Sequence, residues 1–192
     1  SLINKVFSDK KSSIPVWFLR QSGRHIPEYY QIRKKEKDFV KFCLNENLII
    51  ESTNLPLKYY DLDAAIVFSD ILMIPWAMNR NVKFTKNLGP TLDPMIPDET
   101  KIIQDISINS KLKPLKNSIN YLRNKLPKSI GLIGFAGAPW TLACYMIEGG
   151  GSKDFINTRK ALWSSNKWFM KLIETLINYI ADKLEMQARA GA

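Results

Sequence analysis

Residues 63–70 read Asp63-Ala64-Ala65-Ile66-Val67-Phe68-Ser69-Asp70, an apolar run closed at both ends by acids. A run this short, apolar on both faces and ending in Ile66, Val67 and Phe68, predicts a strand buried on both sides, as in a parallel sheet. Working outward, Ile14–Leu19, opened by Pro15 and rich in Val16, Trp17 and Phe18, predicts an earlier buried strand, and Gly131–Phe135 a later one. Helical spacing fills the intervals. Asp38–Tyr60 predicts two helices with Asn45 as the N-cap between them and Pro56 kinking the second. Ser110–Leu126 places Leu115, Ile119, Leu122 and Leu126 on one face, with Pro114 near its first turn. Trp140–Ile147 is helical up to the Gly149-Gly150-Gly151 stop, and Lys167–Ala188 carries the stripe Trp168, Leu172, Ile173, Leu176, Ile180 and Leu184. Pro75–Asp98, punctuated by Pro75, Gly89, Pro90, Pro94 and Pro97, predicts a loop with a short hairpin near Asn81–Phe84, placed as a lid or rim.

Strands alternating with helices predict an α/β architecture with parallel strands. Each predicted strand delivers polar or glycine-rich residues at its carboxyl end, where barrel enzymes build their sites, which favours a (β/α)₈ TIM barrel over a doubly wound open sheet. A complete barrel takes about 250 residues, against 192 here. The sequence starts without methionine and stops at Ala190-Gly191-Ala192, where another strand would be due. The expectation is therefore a barrel truncated after roughly its first half, with 1–192 the amino-terminal portion of one domain.

Composition narrows the function classes. With 45% hydrophobic residues the chain can bury a core, and the net charge of +10 calls for an anionic partner, either nucleic acid or a small polycarboxylate. Lys83, Lys86, Lys101, Lys111, Lys113 and Lys116 are scattered singly instead of forming an aromatic-basic stripe, which argues against nucleic acid. No apolar run approaches the roughly 18 residues of a membrane span, and Lys5, Asp9, Lys10 and Lys11 interrupt any signal-peptide core, so a cytoplasmic protein is expected. Cys43 and Cys144 lie far apart and read as buried thiols.

The densest polar constellation attached to a predicted strand is Arg20, Gln21, Ser22, Arg24, His25 and Arg33. Guanidinium groups grip carboxylates bidentately and keep their charge, and Gly23 lets the backbone approach a ligand; a solvated basic helix start fits the same pattern. Asp70, beside a wholly apolar strand, must be paired, exposed in a pocket or shifted in pKa; it fits either an N-cap for the following turn or a carboxylate that meets ligand N–H groups. Tyr145 stands one helical turn after Thr141 on the segment following the glycine-rich turn, a position that also suits a core tyrosine. The Gly134–Gly137 turn resembles a phosphate cradle only loosely, since it lacks the lysine and hydroxyl of a P-loop. His25 is the only histidine, so a metal set has little to draw on and none is expected.

Taken together, PVWFLRQSGRHIPEY (15–29), LDAAIVFSDI (62–71) and GFAGAPWTLACYMIEGG (134–150) resemble, in the same order, three signatures of the uroporphyrinogen decarboxylase family. The resemblance implies a (β/α)₈ barrel carboxy-lyase of porphyrin and haem biosynthesis. It would convert the four acetate side chains of uroporphyrinogen to methyl groups, giving coproporphyrinogen and CO₂, without metal or organic cofactor and as a homodimer when complete. Carried onto matching positions, Arg20 and Arg24 would bind the acetate and propionate carboxylates, with Ser22 and Arg33 lining the same cleft. Asp70 would accept the pyrrole N–H groups and stabilise the cation formed on protonation, Tyr145 would contact substrate near the reacting acetate, and Arg20 would assist protonation. Ser22 stands where the family usually has alanine, His25 where it has tyrosine and Tyr30 where it commonly has arginine. The family's serine and histidine of the carboxyl-terminal half have no counterpart, so the fragment alone is expected to be inactive and to expose barrel edges. A corrinoid- or zinc-dependent methyltransferase of the related barrels is the alternative, and would need a metal set farther along the chain.

Overall fold

The computed structural model describes residues 14–19, 22–23, 25–85, 89–95, 107–164 and 167–192. The chain forms two compact units: the first gathers the described residues up to Ser69 with Lys113–Phe135 and Met186–Ala192, and the second holds Asp70–Leu112 and Ala136–Glu185.

At the centre of the first unit, β1 (Ala64–Ile66) pairs in parallel with β4 (Gly131–Ile133), Ala65 opposite Leu132. The ladder runs on through the Val67 N–H, which donates to Ile133 O at 2.9 Å. Alanines at 64 and 65 are fully buried, as the sequence predicts. A parallel pair needs a crossover, and within this unit it is supplied by α6 (Lys113–Lys125), which buries Leu115, Ser118, Ile119 and Leu122. This helix lies against α3 (Glu46–Asn54), where Asn117 Nδ2 donates to Glu46 Oε1 at 2.7 Å.

The helices that lead to β1 are fixed by their caps. Proline at the first position opens α1 (Pro27–Lys34); Asp38 caps α2 (Phe39–Cys43) by accepting from Val40 N at 2.8 Å and Lys41 N at 3.1 Å; and Asn45 caps α3 through Leu48 N, as expected. Ile26, Ile32, Phe42, Leu48 and Leu55 form their common core, with Phe68 edge-on to Phe42. Thr53 ties α3 to the strand: its hydroxyl donates to Ile49 O at 2.7 Å and accepts from Phe68 N at 2.9 Å.

In the second unit, α4 (Met73–Ala77) is followed by the hairpin of β2 (Lys83–Thr85) and β3 (Gly89–Thr91) and by α5 (Ile108–Lys111). Helix α7 (Pro139–Glu148) ends at Gly149 in the left-handed region (φ 77°), and α8 (Ile156–Trp163) is joined to it by Glu148, whose carboxylate accepts from the N–H and hydroxyl of Thr158 at 2.9 and 3.0 Å. The long α9 (Lys167–Arg189) begins in this unit and ends in the first.

Several expectations need correction. Residues 14–19 are not a strand: Ile14, Phe18 and Leu19 are 86%, 63% and 75% exposed, and Val16 is bonded to Asp63 just ahead of β1. There Val16 O accepts from Asp63 N at 3.0 Å while Val16 N donates to the Asp63 carboxylate at 2.8 Å, so a side chain stands where a ladder carbonyl would be; Pro15 has no N–H to extend it. Pro56 does not kink α3 but follows its end, opening a 3₁₀ turn (Pro56–Lys58). Pro75 lies inside α4, and the helices α1 and α8 carry no expectation from the sequence. On α9, Leu172, Leu176 and Ile180 are buried as predicted, but Leu184 is 45% exposed, and the inward positions of that turn are Lys183 and Gln187.

Gln187 holds the end of β4: its Oε1 accepts from Phe135 N at 3.0 Å and its Nε2 donates to Phe135 O at 3.1 Å. A Cβ on Gly134 would stand 2.7 Å from Gln187 Oε1, which is why glycine occupies that position. Gln187→Leu would leave both Phe135 backbone groups without this partner and is expected to lower the unfolding free energy by about 2 kcal/mol or more, read from urea denaturation.

Candidate active site

Because β1 and β4 are parallel, their carboxyl ends share one edge. The chain emerging from β1 reaches Ser69 and Asp70; the chain emerging from β4 turns at Gly134-Phe135-Ala136-Gly137 into α7. In the second unit these two exits touch: a Cβ at Gly137 would meet Leu142 at 2.8 Å and Ile71 at 3.1 Å. Gly134 and Gly137 thus serve close packing, the first around Gln187 and the second around Ile71 and Leu142, and not an anion cradle.

Asp70 is half-buried. Its Oδ1 accepts from Leu72 N at 2.8 Å, closing the turn ahead of α4, whose N-cap is Leu72 and not Asp70. Burial pushes the Asp70 carboxyl above the ordinary aspartate value, opposed by the Leu72 N–H and by the positive charge of Lys183. Lys183 is fully buried on α9. Sequence reasoning passed over it because a lysine in an apolar stripe reads as a gap; its spacing of three from Ile180 and four to Gln187 was the available signal.

Tyr145 lies on α7 in the same unit, half-buried among Leu142, Ala143, Met146 and Ile147, which are buried. Cys144 beside it is a buried free thiol whose pKa is raised by burial, as is expected of an inert packing residue.

The remaining predicted residues belong to the first unit. Arg20 and Arg24 lie outside the described residues, as does Gln21. The Ser22 hydroxyl is shielded from solvent and has no hydrogen-bond partner among the described residues, the condition of a group able to receive one from a ligand. Ser69, not anticipated from sequence, has a hydroxyl in the same condition. His25 is exposed and its ring stacks on Tyr60 at 6.2 Å. Arg33 serves the turn between α1 and α2: its guanidinium donates to Glu36 O and, at 2.9 Å, to Lys37 O, and lies over Phe39 and Phe42 at 5.3 Å from each ring centre.

Among the described residues no group of three or more His, Cys, Asp and Glu side chains gathers to hold a metal ion, and no helix is long and apolar enough to cross a membrane.

Comparison with known proteins bears on the same segments. Uroporphyrinogen decarboxylases are similar to this chain at 40% identity over 181 residues in Rickettsia felis, 40% over 178 in Maricaulis maris and 41% over 179 in Rhodospirillum rubrum. These alignments cover 93–94% of this chain and 51–52% of those proteins, so the chain spans about half the length of the curated relatives it matches. Among solved structures, a methyltransferase from Methanosarcina mazei superposes with a TM-score of 0.70 at 14% identity, covering 93% of this chain and 52% of that one. At that identity the likeness establishes the α/β barrel fold, of which this chain provides about half. The uroporphyrinogen decarboxylase (URO-D) family model matches residues 2–192, and the chain belongs to that family.

Proposed function

We propose that this chain carries the amino-terminal half of the site of an enzyme that decarboxylates the acetate side chains of uroporphyrinogen to yield coproporphyrinogen and CO₂. The observation that carries the reading is Asp70: a half-buried carboxylate at the exit of the central strand, bound through Oδ1 to Leu72 N, in a family defined by porphyrinogen decarboxylation. A carboxylate held where ionisation is costly is unusual unless the charge is used.

The chemistry asks for little else. A proton adds to the pyrrole carbon next to the one that bears the acetate, and the ring becomes a cation whose charge reaches the acetate-bearing carbon, able there to take up an electron pair. The bond between the acetate methylene and its carboxylate then breaks, its electrons form a double bond from the methylene to the ring and quench the cation, CO₂ leaves, the methylene takes a proton to become methyl, and the ring carbon gives up the proton it had gained, restoring the pyrrole. Asp70, accepting the pyrrole N–H groups, lies closest to the transient positive charge and lowers the barrier by fixed electrostatics. Arg20 and Arg24 are proposed to hold the peripheral carboxylates, with Arg20 assisting protonation. The shielded Ser22 hydroxyl and the phenol of Tyr145 supply polar contacts. Arg33 is proposed to line the same cleft as Ser22.

The test is anaerobic incubation of uroporphyrinogen with the complete encoded protein, followed by chromatography of the oxidised porphyrins. Stepwise loss of carboxylates from eight to four is expected, slowed by about 10²-fold or more in Asp70→Asn. A folded protein that leaves the substrate untouched overturns the assignment.

A second expectation follows from the raised Asp70 pKa. The folded state holds this proton more tightly than the unfolded chain, so Asp70 lowers folded stability as pH rises from the ordinary aspartate value through the raised one. Asp70→Asn should therefore match the parent at about pH 3 and exceed it in Tm near neutrality, as checked by thermal melts across pH.

A further inference from the structure

The Ser69 hydroxyl is a polar group that the fold leaves unused. Ser69 joins the end of the central ladder to Asp70, and the backbone is tied on both sides of it. Two residues earlier the Val67 N–H donates to Ile133 O at 2.9 Å, one residue earlier the Phe68 N–H donates to the Thr53 hydroxyl at 2.9 Å, and one residue later Asp70 holds the Leu72 N–H at 2.8 Å. The Ser69 Oγ is nevertheless shielded from water and has no hydrogen-bond partner among the described residues. Hydroxyls elsewhere are engaged: those of Thr53, Ser118 and Thr175 donate to the carbonyl four residues back in their own helices, and that of Thr158 to Glu148. Ser69 lies in neither a strand nor a helix, so the carbonyl four residues back is not offered to it. Ser52 also lacks a partner, but it is 0% exposed within α3, whereas Ser69 is half-buried at the carboxyl edge of the sheet. Keeping a hydroxyl from both water and protein partners costs free energy. With no bond to break, the group is free to turn among its rotamers and meet a ligand that arrives at that edge.

We propose that Ser69 is a catalytic residue of the reaction above: its hydroxyl donates to the carboxylate of the acetate about to be lost and so sets the direction of the bond that breaks. The proposal rests on the reading of Asp70 as the acceptor of pyrrole N–H groups. Adjacent residues have Cα atoms about 3.8 Å apart, and a pyrrole nitrogen is only a few bonds from the acetate on its own ring. Neighbouring side chains can therefore serve one ring, Asp70 its N–H and Ser69 its acetate. For the electron pair of the breaking carbon–carbon bond to form the double bond from methylene to ring, that bond must stand roughly perpendicular to the ring plane, and a hydrogen bond to the carboxylate holds it there. A neutral donor fits this task better than a guanidinium. The carboxylate charge vanishes as CO₂ forms, so a cation bound to it would stabilise the reactant more than the transition state. A hydroxyl makes a weaker bond than a bidentate guanidinium and gives it up at smaller cost. Ser69 neither gains nor loses a proton in the step.

The test compares Ser69→Ala with the parent in the complete encoded protein, with uroporphyrinogen as substrate. kcat should fall about 10-fold or more with KM changed less, while the ligand-free variant melts at or above the parent Tm, because the fold loses no bond. A kcat like the parent's, whether or not KM moves, overturns the proposal. So does a variant that melts below the parent or does not fold, since the hydroxyl then serves the fold. A parent that leaves uroporphyrinogen untouched overturns the functional reading and the role of Ser69 with it; an active parent with an equally active Ser69→Ala overturns the role of Ser69 alone.

Discussion

The parallel pairing of Ala64–Ile66 with Gly131–Ile133 is the constraint on which the rest of the first unit depends. Antiparallel strands can be closed by a two-residue turn and would alternate the polarity of their ends; a parallel pair commits the chain to a long crossover and puts both carboxyl ends on one side. The crossover helix α6 is then held on α3, and α3 is held on β1 by Thr53. The exits at Asp70 and at the Gly134–Gly137 turn follow from the same geometry, and each is fixed by one polar side chain: Asp70 bonds the Leu72 N–H, and Gln187 satisfies both backbone groups of Phe135. Backbone leaving a sheet loses its ladder partners, and these side chains replace them.

Much of this was legible in the sequence, for reasons that can be named. Ala64–Phe68 and Gly131–Phe135 are short apolar runs bounded by polar or glycine residues, and strands buried on both faces leave that pattern. Asn45 and the glycine stop after Ile147 mark helix ends through chemistry local to the chain. The failures share a cause. Ile14–Leu19 has strand composition, but a strand exists only where a neighbour offers a ladder, and at Val16 half of that role is taken by the Asp63 side chain. Helix α1, with its single buried residue Ile32, and α8, with a weak apolar stripe, owe their form to proline and capping contacts more than to periodicity.

The candidate site divides in the same way. Asp70 could be singled out because an acid next to an apolar strand is conspicuous, and the three signatures carried the rest of the assignment. Lys183 and Gln187 were hidden because a helical stripe read from apolar residues alone treats polar members as interruptions, so Leu184 was expected inside. The polar side chains are the ones turned inward, and Gln187 there satisfies both backbone groups of Phe135. Arg33 shows the converse: a guanidinium in a signature-rich region whose contacts here are with the carbonyls and rings of its own turn.

The distance along the chain between β1 and β4 has a consequence for biosynthesis. A chain made amino end first releases Ala64–Phe68 about 67 residues before Gly131, so at about 5–20 residues per second the inner strand waits several seconds for its partner. Gln187, which closes the end of β4, comes a further 52 residues behind Phe135. Through that interval the apolar run stays open to other chains, and Asp63 and Asp70 at its two ends act as gatekeepers whose charge discourages edge-to-edge association.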